Sequence, residues 1–327
     1  MLEKIGQLFI TGYDEREPFQ DFLKFLIEEN IGGVILFEEN SHPHTRAESF
    51  IRQINAASRE TPFIAVDQEG GRVCRFRGAP AEYPAASVFG KENNLEMFYE
   101  HFSRSIYYIH SLGINLLLGP VADLELNNKN QCLKDRTFGN KPSRIIPFIE
   151  TAVKTAARSG VLTCLKHFPG LGAASEDPHN QTAVADYDLQ TFLNRESLPF
   201  KAGIDAGADM VMTSHILLPN IAKHLATESP IIVERLLRER LNFDGVAITD
   251  DLLMNGAGGA AEAPRMAVRA FMAGHDILLL GRDFSTTKKT VAHFKDQFRK
   301  GGISEERIKT SLDRIYGVKS KLVETVL

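Results

Sequence analysis

The sequence predicts one (β/α)8 TIM-type barrel, an α/β fold of a single domain spanning 1–327, and three observations lead there. Short, β-rich apolar runs recur eight times along the chain; the runs are continuously apolar rather than alternating; and polar residues gather just after them. Continuous apolar character suits parallel strands covered on both faces, whereas alternation would mark a sheet with one face in water. Eight such units close a barrel, and barrels of this length fold as one unit.

The runs are 7–10, 33–37, 63–66, 115–118, 162–165, 210–213, 246–249 and 276–280, each followed by a polar or glycine cluster and then a helical pattern. After the first comes ITGYDERE, which lacks the glycine-rich phosphate turn that a doubly wound open sheet would carry there. The second leads to Glu38, Glu39, His42 and His44, and we read these two histidines as surface residues rather than metal ligands. Asp67 follows the third run. The fourth opens into 127–141, polar and glycine-bearing, read as a long rim loop. Lys166 and His167 follow the fifth run, Ser214 and His215 the sixth, Asp250 and Asp251 the seventh, and Arg282 and Asp283 the eighth. In a barrel all these positions converge on one rim, where active sites form. The Gly/Ala-rich stretch 257–263 is expected to be mobile. Ser304 is a candidate N-cap for a last helix whose apolar stripe is Ile308, Leu312, Ile315 and Leu322.

Composition narrows the function classes. A hydrophobic content of 43% allows a large core, while a net charge of -4 with scattered Lys and Arg gives no polyanion-binding signature. Cys74, Cys132 and Cys164 are odd in number and widely spaced, which fits a reducing compartment rather than a disulfide framework or zinc knuckle. The first apolar stretch is too brief for a secretory signal core, and no run reaches the ~20 residues of a membrane span. The expectation is a cytoplasmic monomer without nucleic-acid or membrane partners.

Two groups carry candidate chemistry. Asp250 should point into the barrel mouth, where an ionised carboxylate can attack an anomeric carbon; the competing reading is a helix cap or an arginine partner. Asp251, facing the other way in an extended segment, is the better structural candidate. Asp177 and His179 lie two apart around Pro178, so both side chains project to one side and the carboxylate can orient the imidazole as an acid/base. A solvated loop histidine stays open as the alternative. Lys166 and His167 could grip sugar hydroxyls, or the lysine could pair with a neighbouring strand's carboxylate. VDQEGGRVCRF adds Asp67, Glu69, Arg72 and Arg75 around a diglycine that permits close backbone approach, and Arg136 sits in DRTFG.

Taken together, VDQEGGRVCRF, DRTFG, KHFPG-x-G, D-x-H and ITDDLLM resemble glycoside hydrolase family 3. The resemblance is strongest to its single-domain bacterial β-N-acetylglucosaminidases of peptidoglycan recycling. It implies a retaining two-step mechanism without metal or organic cofactor, acting on a small sugar substrate that contains N-acetylglucosamine. It further implies Asp250 as nucleophile, His179 as acid/base and Asp177 as its dyad partner. Asp67, Arg75, Arg136, Lys166 and His167 would then line the subsite for the non-reducing sugar. Two departures stand out: Leu171 replaces the second histidine of KHFPGHG, and Pro178 replaces serine in Asp-Ser-His. Phosphate as acceptor in place of water stays open, as do a sugar-binding homologue with little turnover, a β-glucosidase of the same family, and a metal-dependent hydrolase built on His167, His179, His215 and Asp250.

Overall fold

Strands form where the continuous apolar runs lie. In the computed structural model, which describes residues 1–78, 80–174 and 182–324, they are β1 (Phe9–Gly12), β2 (Gly33–Leu36), β3 (Phe63–Val66) and β4 (Leu116–Leu117), then β5 (Leu162–Phe168), β6 (Met210–Thr213), β7 (Val246–Thr249) and β8 (Leu278–Leu280). Every residue of these strands is buried, as a sheet covered on both faces requires. They pair in parallel in the order β7, β6, β5, β4, β3, β2, β1, β8. A parallel bridge between Ile248 and Ile277 brings the two end strands together, so the sheet closes on itself as a barrel.

Helices return the chain between strands and bury one stripe each. The helix Leu95–Ser111 turns Phe98, Phe102, Ile106 and Ile109 inward, a 3.6-residue stripe. The helix Pro142–Arg158 does the same with Ile145, Phe148, Ile149, Ala152, Val153 and Ala156. Between β6 and β7 the return is a π-helical segment, Ile231–Arg240. Among the described residues no helix is long and apolar enough to cross a membrane.

Several expectations need correcting. Gln7 and Leu8 belong to a 3-10 turn, Leu2–Leu8, not to the first strand. Gln7 is drawn inward instead by Nε2 donating to the Asn30 carbonyl at 2.8 Å. Asn115 lies just before the fourth strand, its Oδ1 accepting from the Ile64 amide at 2.7 Å while its own amide donates to the Ile64 carbonyl at 3.2 Å. Asp276 precedes β8 and is fully buried under Arg238, Ser311 and Arg314. Strand β5 runs on to Phe168, so Lys166 and His167 sit inside it rather than after it. The stretch 257–263 runs from the end of a 3-10 turn, Asn255–Ala257, into the helix Gly259–Met272. Ser304 caps the last helix as expected, its Oγ accepting from the Arg307 amide at 3.1 Å, and Ile308, Leu312 and Ile315 are buried.

The rim loop after β4 has no regular structure of its own, yet it is firmly packed. Leu124, Leu133 and Phe138 are buried, and Phe138 stacks on Phe148 at 4.8 Å and meets Phe98 edge-on at 5.1 Å. Two glycines let it approach this closely. A Cβ on Gly90 would lie 1.8 Å from the Phe138 carbonyl oxygen, and one on Gly172 would lie 1.8 Å from that of Leu124. The loop is thereby fixed to the barrel top, which settles where Arg136 points.

Candidate active site

The C-terminal ends of the strands surround a cavity of about 340 Å³, lined on its charged side by Asp67, Arg75, Arg136, Lys166 and His167 and on the β7 side by Asp250 and Asp251. Phe37, Leu171, Met212 and Met254 supply much of the apolar wall. The volume lies at the small end of ligand pockets, fitting one or two sugar rings.

Asp250 is placed by the backbone of the strand end. Its amide donates to the Thr213 carbonyl at 3.0 Å, and its Oδ1 accepts from the Asp251 amide at 2.8 Å. Asp251 has the structural part expected of it: Oδ1 accepts from the amides of Leu253 at 2.9 Å and Gly281 at 2.8 Å, fastening the β7 loop to the end of β8.

The charged wall is one continuous network. Lys166 Nζ lies 2.6 Å from Asp67 Oδ1 and 2.6 Å from Glu69 Oε1. Arg136 grips Glu69 through Nε at 2.7 Å and Nη2 at 2.8 Å, the fork geometry that guanidinium and carboxylate share. Lys166 thus pairs with carboxylates in the cavity wall, but they follow β3, which β4 separates from β5, and not a neighbouring strand. Burial works to raise the Asp67 carboxyl, but Lys166 and Arg75 outweigh it and hold the group below its ordinary value. Glu69 is held well below the usual carboxylate range in the same way, burial being overcome by Arg136 and Lys166. Burial alone would lower the Lys166 ammonium; Asp67 and Glu69 instead keep it above the ordinary lysine value. Arg75 reaches Asp67 Oδ2 only at 3.4 Å, and its Nε is buried with no hydrogen-bond partner among the described residues.

Asp177, Pro178 and His179 lie outside the described residues. His215 is fully buried, with Nδ1 at 2.7 Å from Thr227 Oγ1 and Nε2 donating to the Asp251 carbonyl at 3.0 Å. It holds the loop beneath the nucleophile candidate and is not part of the cavity lining. His44 pairs with Tyr108 at 2.6 Å and, like His42, is half-buried. Arg282 lies over the Phe37 ring at 4.6 Å, and Asp283 caps the helix Phe284–Arg299.

Residues 1–318 match the glycosyl hydrolase family 3 N-terminal domain. The chain belongs to glycosyl hydrolase family 3. It is 32% identical over 279 residues to a β-hexosaminidase of Actinobacillus pleuropneumoniae serotype 3 (strain JL03), covering 84% of this chain and 80% of that one. The family 3 β-N-acetylglucosaminidase of Paenibacillus sp. str. FPU-7 superposes with a TM-score of 0.93 at 30% identity. That match covers 99% of this chain, which spans 62% of the Paenibacillus chain. A β-N-acetylhexosaminidase from Beutenbergia cavernae DSM 12333 superposes with a TM-score of 0.87 at 29% identity, covering 98% of each chain.

Two carboxylates of this family 3 barrel organise the site beyond the subsite residues that the resemblance implies, Glu69 being read only as part of its segment and Asp123 not at all. Glu69 lies behind the wall and joins Arg136 to Lys166. Asp123, 1% exposed, accepts from the His167 ring at 2.7 Å and from the His167 and Leu171 amides at 3.0 and 2.7 Å. The available signal for Asp123 was its place in LGPVAD, just beyond the fourth apolar run. Arg72 also lines the cavity, but its Nε and Nη2 are taken by the carbonyls of Lys134, Gln131 and Cys132, so it tethers the rim loop.

Proposed function

We propose that this family 3 protein is a retaining exo-β-N-acetylglucosaminidase that releases terminal N-acetylglucosamine from peptidoglycan-derived fragments. The carrying observation is Asp250 at the end of β7, facing a cavity walled by Asp67, Arg75, Arg136, Lys166 and His167. Its relatives, a β-hexosaminidase and a β-N-acetylglucosaminidase, support N-acetylglucosamine as the sugar.

In the first step an Asp250 carboxylate oxygen attacks the anomeric carbon. The bond to the leaving oxygen breaks, and His179, oriented by Asp177, supplies its proton. In the second step His179 takes a proton from water, the water oxygen attacks the anomeric carbon, and the Asp250 carboxylate leaves with net retention. Lys166, Arg136 and Arg75 donate to the oxygens of the non-reducing sugar. The small cavity favours a chain end over an internal position.

The test is a panel of nitrophenyl β-glycosides (N-acetylglucosaminide, glucoside, xyloside) assayed with and without phosphate. Fastest release from the N-acetylglucosaminide, independent of phosphate, is expected. A glucoside preference would overturn the assignment, and a phosphate requirement would make the enzyme a phosphorylase. Asp250→Ala is expected to lower kcat at least ~10³-fold with folding intact, and near-normal turnover would remove Asp250 from the mechanism.

A further inference from the structure

The segment that follows β5 is gripped by its backbone. Asn130, 4% exposed, donates through Nδ2 to the Leu171 carbonyl at 2.9 Å. The Asn127 amide donates to the Gly172 carbonyl at 3.1 Å, and Asn127 Nδ2 to the Ala174 carbonyl at 3.2 Å. Asp123 takes the Leu171 amide at 2.7 Å, and Tyr187 Oη donates to the Gly170 carbonyl at 3.1 Å. Leu171 and Ala174 are fully buried, so their carbonyls need protein donors, and side-chain amides supply what no sheet or helix does here.

Each asparagine is oriented from its other end. Asn130 Oδ1 accepts from the Leu133 amide at 3.3 Å, and Asn127 Oδ1 from the Lys129 amide at 3.0 Å. The amide oxygens thus face their own rim loop, and the NH2 groups face 171–174. The same loop carries Arg136 onto Glu69 in the cavity wall. The sugar-facing wall and the segment after β5 therefore hang on one frame.

We infer that Asn127 and Asn130 are positioning residues for the acid/base: they fix the segment from which His179 reaches the leaving oxygen, in register with the loop that carries Arg136. This rests on the glycosidase reading of the cavity. Asp177 and His179 follow Ala174 by three and five residues, so their Cα atoms lie within about 11 and 18 Å of its own. Releasing the carbonyls at 171–174 loosens the origin of that short span, whereas proton transfer needs hydrogen-bond reach.

The test uses Asn127→Asp and Asn130→Asp, which keep an oxygen for the rim-loop amide and lose the donor to the segment. Asn127 is half-buried, so its variant decides the matter even where Asn130→Asp fails to fold. Two aryl β-N-acetylglucosaminides are compared: the dinitrophenyl glycoside, whose phenolate departs without a proton, and the phenyl glycoside, which needs one. In the variants kcat/KM should fall at least about tenfold on the phenyl glycoside and under about twofold on the dinitrophenyl glycoside. Azide should then raise the variants' kcat on the dinitrophenyl glycoside and yield the β-glycosyl azide. Its nitrogen attacks the anomeric carbon and displaces the Asp250 carboxylate, with no proton to remove. Wild type should show no such azide gain. Equal losses on both glycosides, or losses that azide does not relieve, would mean that the asparagines only pack the loop, and would overturn the inference alone. A wild type inactive on every aryl glycoside would instead sink the glycosidase reading, and this inference with it.

Discussion

Glu69 holds two cations with one carboxylate and is itself only 4% exposed at the side chain. Removing its charge leaves Lys166 with Asp67, which Arg75 also approaches, and takes from Arg136 the carboxylate that it grips. Stranding one member of a buried pair costs about 3–5 kcal/mol, so Glu69→Gln should lower the denaturation midpoint by that equivalent. It should also lower kcat/KM by roughly 10²-fold, because both cations lose their fixed geometry. The pH dependence follows from the carboxyl being held below its unfolded value of about 4.3. Its contribution is complete above that pH and is lost as pH falls toward the folded value. The stability gap between wild type and variant should be constant between about pH 5 and 7 and should narrow below about pH 4. A gap unchanged at acid pH would show that Glu69 contributes by packing and not by charge.

Among elements, the seam between β7 and β8 is the critical one. It is held by the Ile248–Ile277 bridge and, higher up, by Asp251 reaching the Gly281 amide. The close approach there requires a glycine, since a Cβ on Gly281 would lie 2.2 Å from Asp251 Oδ2. Asp251→Ala strips two amides, of Leu253 and Gly281, of their acceptor. At about 1–3 kcal/mol for each amide that stays unsatisfied, a measurable fall in melting temperature is expected. The adjacent Asp250 loses its alignment in the same variant, so kcat should fall about 10- to 100-fold. Unchanged kcat alongside lowered stability would separate the seam from the chemistry.

At the scale of the whole molecule, the barrel bottom is sealed by the last helix. Lys319 is buried there, its Nζ donating to Gln7 Oε1 at 2.7 Å and the Gly32 carbonyl at 3.1 Å, 4.8 Å from the Phe63 ring centroid. Burial pushes its ammonium down to about 8. The unfolded chain, with lysine near 10.4, binds more protons between those values, so this residue makes stability rise with pH across that window. Relative to Lys319→Met, wild type should gain stability between about pH 8 and 10, read by urea denaturation at each pH. A constant difference would contradict this.

The eight apolar runs were legible because strand burial is a local property of the sequence, and so was the set of residues at their ends: Asp67, Lys166, His167, Asp250. The errors fell at strand ends, as at Gln7, where a turn replaces the strand. The sequence by itself determined which side chains reach the rim, since that depends only on strand position and period. Only the tertiary structure decided which of them pair. Glu69 meets Arg136 across 67 residues and Asp123 meets His167 across 44, and such contacts depend on the barrel's closure and on a rim loop packed by Phe138.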